Sequence, residues 1–170
     1  APLPFDIAKP IDIRQLITPE TRAEDDNSDI RTLKRHFAGL MPTAPLQAGA
    51  TGLTVFTQDE RVRHRLVKDA KKNEQEYVVE VSGQIADGGI EQLNREIKVN
   101  GWPQPRAKVS WQNETRLRFA LKGVQPGQIE SMCNQVGLSV VSMLRIRIGR
   151  VSMKKLPPGQ WRYLPTGELF

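Results

Sequence analysis

Between positions 115 and 121 Leu117, Phe119 and Leu121 alternate with Arg116, Arg118 and Ala120. Successive side chains of a strand point to opposite faces, so this period of two fits a half-buried antiparallel strand. Segment 107–112 precedes it across Asn113–Glu114, and the two are expected to form a hairpin. A longer run, 138–153, interleaves Val140, Val141, Leu144, Ile146 and Ile148 with Arg145, Arg147 and Arg150 and also reads as strand, as does the β-rich 76–82. Helical patterns fall between these runs. Thr57 and Glu60 have capping-box spacing, with Val62, Leu66 and Ala70 following at i, i+4, i+8. Ile90, Leu93 and Ile97 mark a second helix; Ile129, Met132, Cys133 and Val136, after Pro126 and before Gly137, mark a third. Strands and helices mix without strict alternation, which predicts an α+β fold with a central, mostly antiparallel sheet flanked by helices.

At 170 residues the chain suits one domain, 1–170, with a solvated acidic loop at 19–31 that holds five acids and two bases. No run approaches the ~18 apolar residues of a membrane span, and no signal peptide is recognisable, so a soluble, cytoplasmic protein without membrane partner is expected. Cys133 is the sole cysteine, which rules out an internal disulfide and suits the helix core. His36 and His64 stand beside arginines without acids at ligand spacing, so a solvated or phosphate-facing role is expected and no metal.

The formal charge is +6 and the isoelectric point about 9.7, which favours a polyanionic partner. Two clusters concentrate it. Arg61, Arg63, Arg65, Lys68, Lys71 and Lys72 lie on or just beyond the first helix against one acid, Asp69; Arg145, Arg147 and Arg150 form the second cluster, extended by Lys154 and Lys155. Both are candidate RNA-binding surfaces, and a plain solvated face is the alternative for each. No phosphate-cradling glycine loop, Gly-x-Ser-x-Gly elbow or Cys/His pair is present.

The order of several motifs resembles the bacterial ribosomal RNA pseudouridine synthases of the RsuA/RluB/RluE/RluF type. Ala8-Lys9-Pro10 is similar to that family's Asn-Lys-Pro. Pro45-Leu46-Gln47-Ala48-Gly49-Ala50-Thr51-Gly52-Leu53 is similar to its Arg-Leu-Asp-x-x-Ser/Thr-x-Gly-Leu, and Thr57-Gln58-Asp59 to its Thr-Asn-Asp. Gln75-Glu76-Tyr77-Val78-Val79 resembles Lys-x-Tyr-x-Val; Gln128-Ile129 with Met132-Cys133 resembles Arg-Gln-Ile-Arg-Arg-Met-Cys. Arg145-Ile146-Arg147-Ile148-Gly149 and the stretch from Leu156 to Leu164, with Gly159, Trp161 and Arg162, complete the series. The resemblance implies a pseudouridine-synthase-like domain, an RNA partner of ribosomal type and no cofactor. A small RNA-binding domain often precedes the catalytic one in this family, leaving room for one before Ala1.

Departures from the pattern bear on activity. The position of the family's nucleophilic aspartate is Gln47, and a neutral amide is a poor nucleophile. Pro45, Gln75, Gly127, Glu130 and Ser131 stand where the family has basic residues, while Tyr77, which packs beside the target base there, is kept. Met41 to Phe56 contains no acid. Three readings follow: an RNA-binding pseudoenzyme, with Gln47 and Tyr77 reaching the floor of a cleft; an active synthase that borrows Asp59 or Glu60; or a structural, protein-interaction domain.

Overall fold

The computed structural model describes residues 12–96, 98–99, 101–168 and 170; Ala8-Lys9-Pro10 and Ile97 lie outside them. The chain falls into two compact units, one of residues up to Leu40 with Lys155–Pro165, the other of Met41–Lys154 with Thr166–Phe170.

The second unit contains β1 (Met41–Pro42), β2 (Thr51–Gly52), β3 (Phe56–Thr57), α1 (Glu60–Val67), β4 (Glu74–Gly83) and α2 (Gly89–Leu93). Then come β5 (Lys98–Val99), β6 (Trp102–Pro103), β7 (Lys108–Trp111), β8 (Arg116–Lys122), α3 (Gln128–Gln135), β9 (Leu138–Ile148) and β10 (Val151–Ser152). Its main sheet runs β10-β9-β4-β8-β7, antiparallel throughout, and β2 adds to β9 in parallel. The expected α+β architecture and the 108–122 hairpin are both present. Leu117, Phe119 and Leu121 are buried, as their alternation requires, and pack with Tyr77, Val79 and the α3 residues Ile129, Met132 and Cys133. Burial, with Glu130 adding to it, pushes the Cys133 thiol up to about 11, so this cysteine is a neutral core group.

Two local expectations are corrected. The cap of α1 is Asp59, whose carboxylate accepts from the Arg61 N–H at 2.8 Å; Thr57 instead accepts from the Asp59 N–H at 3.0 Å. The α-helix stops at Val67, and a 3-10 turn, Ala70–Lys72, carries the chain to β4.

In the first unit the acidic stretch 19–31 is not merely solvated. Ala23 is buried, and the Asp26 carboxylate is held by Arg22 Nε at 2.9 Å and the Tyr163 N–H at 3.0 Å. Burial raises the Asp26 carboxyl, but the Tyr163 and Ser28 donors and Arg22 outweigh it and bring it down to about 2. His36 is not phosphate-facing either: its Nδ1 bonds the Tyr163 hydroxyl at 2.7 Å, inside a cluster where Trp161 packs edge-on against Phe37 and Tyr163.

Candidate functional site

Arg145 organises the site. It is fully buried in β9, and its guanidinium grips the loop 45–53 at both ends: Nε donates to the Leu53 carbonyl at 2.9 Å and Nη1 to the Pro45 carbonyl at 3.1 Å. The loop's exit is also fixed by backbone. β2 pairs with β9 with Gly52 opposite Arg145, and the Leu53 N–H donates to the Arg145 carbonyl at 2.9 Å. Gly52 sits at φ 112°, where a Cβ would lie 2.3 Å from the Arg145 oxygen, so no side chain fits.

Across the sheet, Tyr77 of β4 pairs with Arg145. The Tyr77 hydroxyl donates to Gln75 Oε1 at 2.8 Å, and Arg145 Nη1 reaches the same oxygen at 3.3 Å. A lysine at position 75 could accept neither bond, since an ammonium has donors only. Burial pushes the Tyr77 hydroxyl above its ordinary value, with the Arg145 cation opposing; burial lowers Arg145, with Tyr77 opposing. An arginine keeps its charge at neutral pH regardless.

Gln47 lies on the gripped loop, 7% exposed, with its amide nitrogen donating to the Gln125 carbonyl at 3.0 Å. Two buried polar atoms have no hydrogen-bond partner among the described residues, Gln47 Oε1 and Arg145 Nη2. No acid lies within ion-pair distance of Arg145 among those residues. A buried guanidinium is costly unless hydrogen-bonded, and here neutral oxygens do that work in place of a carboxylate.

Through Gln75 and Arg145 the Tyr77 hydroxyl is tied to the Pro45 and Leu53 carbonyls of the loop that carries position 47, while the Gln47 side chain itself bonds Gln125; neither residue reaches an open cleft floor, Tyr77 being 0% exposed. A shallow depression of about 450 Å³ opens elsewhere, along α3, lined by Gly127, Glu130 and Ser131 with Asn134 and Gln135.

The second basic cluster is corrected. Arg145 belongs to the interior, and Arg147 is locked by Glu76 and by Glu74 at 2.6 Å, leaving Arg150 as the exposed member of that trio. The reason is a pair of register shifts in the β4–β9 ladder. Glu76 pairs with Arg147 but Tyr77 with Arg145, so Ile146 is skipped; between Glu80 and Val81 the ladder skips Val141. Such bulges re-aim side chains, and a period-two reading of β9 cannot see them. On α1 and the turn after it, Arg61, Arg63, Arg65, Lys68, Lys71 and Lys72 are all exposed. Asp59 and Glu60 are occupied there, Asp59 by Arg61 at 2.9 Å and Glu60 by Arg63 at 3.0 Å. The described residues contain no cluster of metal-ligating side chains and no helix long and apolar enough to cross a membrane.

A crystal structure of a pseudouridylate synthase superposes with a TM-score of 0.72 at 20% identity, covering 91% of this chain and 62% of that one. The fold is thus that of the pseudouridine synthases. Homologues carry the same name. Ribosomal large subunit pseudouridine synthase B of Yersinia pestis is 30% identical over 70% of this chain and 39% of its own length. Ribosomal small subunit pseudouridine synthase A of Vibrio cholerae is 30% identical over 79% and 57% respectively. Dual-specificity RNA pseudouridine synthase RluF of Salmonella typhi is 26% identical over 88% and 52%. No family model matches. The chain spans about half the length of these relatives.

Proposed function

We propose that this chain is an RNA-binding domain of pseudouridine-synthase fold that does not isomerise uridine. The observation that carries this reading is the buried Arg145, whose guanidinium bonds, among the described residues, only neutral oxygens, those of Leu53, Pro45 and Gln75, beside a loop that bears Gln47 and no acid. Attack on a uridine ring needs a nucleophile, and an amide supplies neither the lone-pair basicity nor the charge. The relatives' names support RNA as partner, ribosomal RNA in particular. The exposed cations of α1 and its following turn supply the backbone-binding charge.

The same names equally favour a second reading, an active synthase. It needs a displaced acid, and Asp59, the nearest in sequence, is engaged in capping α1 and pairing with Arg61. Release of tritium from RNA labelled at uridine C5 decides between them: background release is expected, and turnover by the unaltered chain overturns the pseudoenzyme reading. Gln47→Asp alone is expected to leave release at background, because Pro45, Gln75, Gly127, Glu130 and Ser131 still replace the family's basic surroundings.

A further inference from the structure

We propose that the β5–β6 hairpin is a separate RNA contact, in which the indole of Trp102 stacks on an unpaired base. The proposal rests on the RNA-binding reading and adds to it a place and a mode. Single strands are held by two devices together, cations along the backbone and aromatic faces under the bases. The α1 surface supplies the first and carries no Trp, Tyr or Phe, only the small imidazole ring of His64. Tyr77 cannot supply the second as it stands, because it is fully buried and its hydroxyl is engaged by Gln75.

Trp102 is 75% exposed, far more than Trp111 at 39%. Isolated surface rings are ordinary, but three features set this one apart. It sits on a short ribbon in which Val99 pairs with Trp102 and Lys98 with Pro103, turned at Gly101 with φ 80°. The ribbon's neck is clamped: Asn94 Oδ1 accepts from the Val109 N–H at 2.8 Å while Asn94 Nδ2 donates to the Val109 carbonyl at 2.9 Å. Behind the ring, Gln104 Nε2 donates to the Trp102 carbonyl at 3.4 Å. A ring presented on a braced ribbon loses little freedom on binding, which favours affinity.

The third feature is charge. Positions 95–108 hold Arg95, Lys98, Arg106 and Lys108 against Glu96 alone. Arg95 and Arg106 are exposed, and the Lys108 side chain is 82% exposed despite lying 3.8 Å from Glu74. Arg106 follows Trp102 by four residues, at most about 14 Å of extended chain. A base on the indole would have the exposed Arg95, Arg106 and Lys108 within the same short stretch of chain to meet its phosphates, the complementarity expected of a nucleic acid.

The test is anisotropy with a fluorescein-labelled oligouridylate of about 12 nucleotides, titrated with the full chain across a salt series. Trp102→Ala and Trp102→Leu are expected to weaken binding by about tenfold or more with an unchanged salt slope, and Trp102→Phe to restore most of it. Because the side chain is exposed, none of these variants should disturb folding, which circular dichroism verifies. Binding by the wild type that Trp102→Ala matches overturns the hairpin contact and leaves the RNA reading standing. Absence of wild-type binding overturns both. A self-association that Trp102→Ala abolishes, seen by sedimentation with RNA affinity unaltered, assigns the ring to a second copy of the chain and also overturns the proposal.

Discussion

Helix α1 with its following turn, and the end of strand β9, are both cation-rich in sequence, yet the structure treats their charge in opposite ways. Along α1 and its turn the acids in reach are local: Asp59 and Glu60 pair with Arg61 and Arg63, and Asp69 lies 3.9 Å from Lys72, while Arg65, Lys68 and Lys71 face no acid within ion-pair distance among the described residues. Exposed pairs of that kind are weak, and Arg61 remains 92% exposed. On β9 the neighbours come from across the sheet, more than 70 residues away in sequence. Glu74 and Glu76 of β4 engage Arg147, Glu76 also takes Arg118, and Glu80 takes Arg116. A count of charges along a strand therefore overstates what the surface offers, whereas on this helix the count survives folding.

The comparison is open to attack at several points. The largest effect is expected at Arg145. Arg145→Ala strips the Pro45 and Leu53 carbonyls and Gln75 of a buried donor, and should cost about 3 kcal/mol or more, against within about 0.5 kcal/mol for Arg65→Ala; urea unfolding of both variants checks this. Next comes salt dependence. Replacing Arg61, Arg65 and Lys68 by alanine should flatten the log affinity–log salt slope for single-stranded RNA by about 2, at roughly 0.7 per phosphate. Arg147→Ala should leave the slope where it was, and equal changes in the two variants would erase the distinction between the regions. The smallest effect concerns acid. Burial raises the Glu76 carboxyl but Arg147 and Arg118 outweigh it, so its folded value lies below its unfolded one. Its contribution is present above the ordinary carboxylate range and is lost as pH falls through the lowered folded value. The stability of Glu76→Gln should accordingly vary less with pH in the acid range than that of the wild type, as followed by denaturation at stepped pH.

Where burial follows a regular period, the sequence was enough: the β7–β8 hairpin, the apolar stripe of α3 and its stop before Gly137 could all be read directly. Position 47 lies on the loop whose ends Arg145 holds, and Tyr77 pairs with Arg145 across the sheet, but their two side chains share no bond. Illegible were features that depend on partners distant in the chain. Arg145 reads as a surface cation until the skipped residue at Ile146 turns it inward. Asp26 reads as part of a solvated acidic loop, because its partner Tyr163 lies 137 residues away. Asn94 offers no periodic signal at all; its two bonds to Val109 join a helix end to a strand, and single-residue clamps leave no pattern.

Arg145 grips the 45–53 loop through the carbonyls of Pro45 and Leu53, groups that every amino acid carries. The path of the loop is consequently indifferent to which side chains ride on its middle, although it cannot spare the bare backbone of Gly52. Architecture and chemistry are thus inherited separately at this site. The residue at position 47 can therefore be exchanged while the scaffold that presents it stays intact.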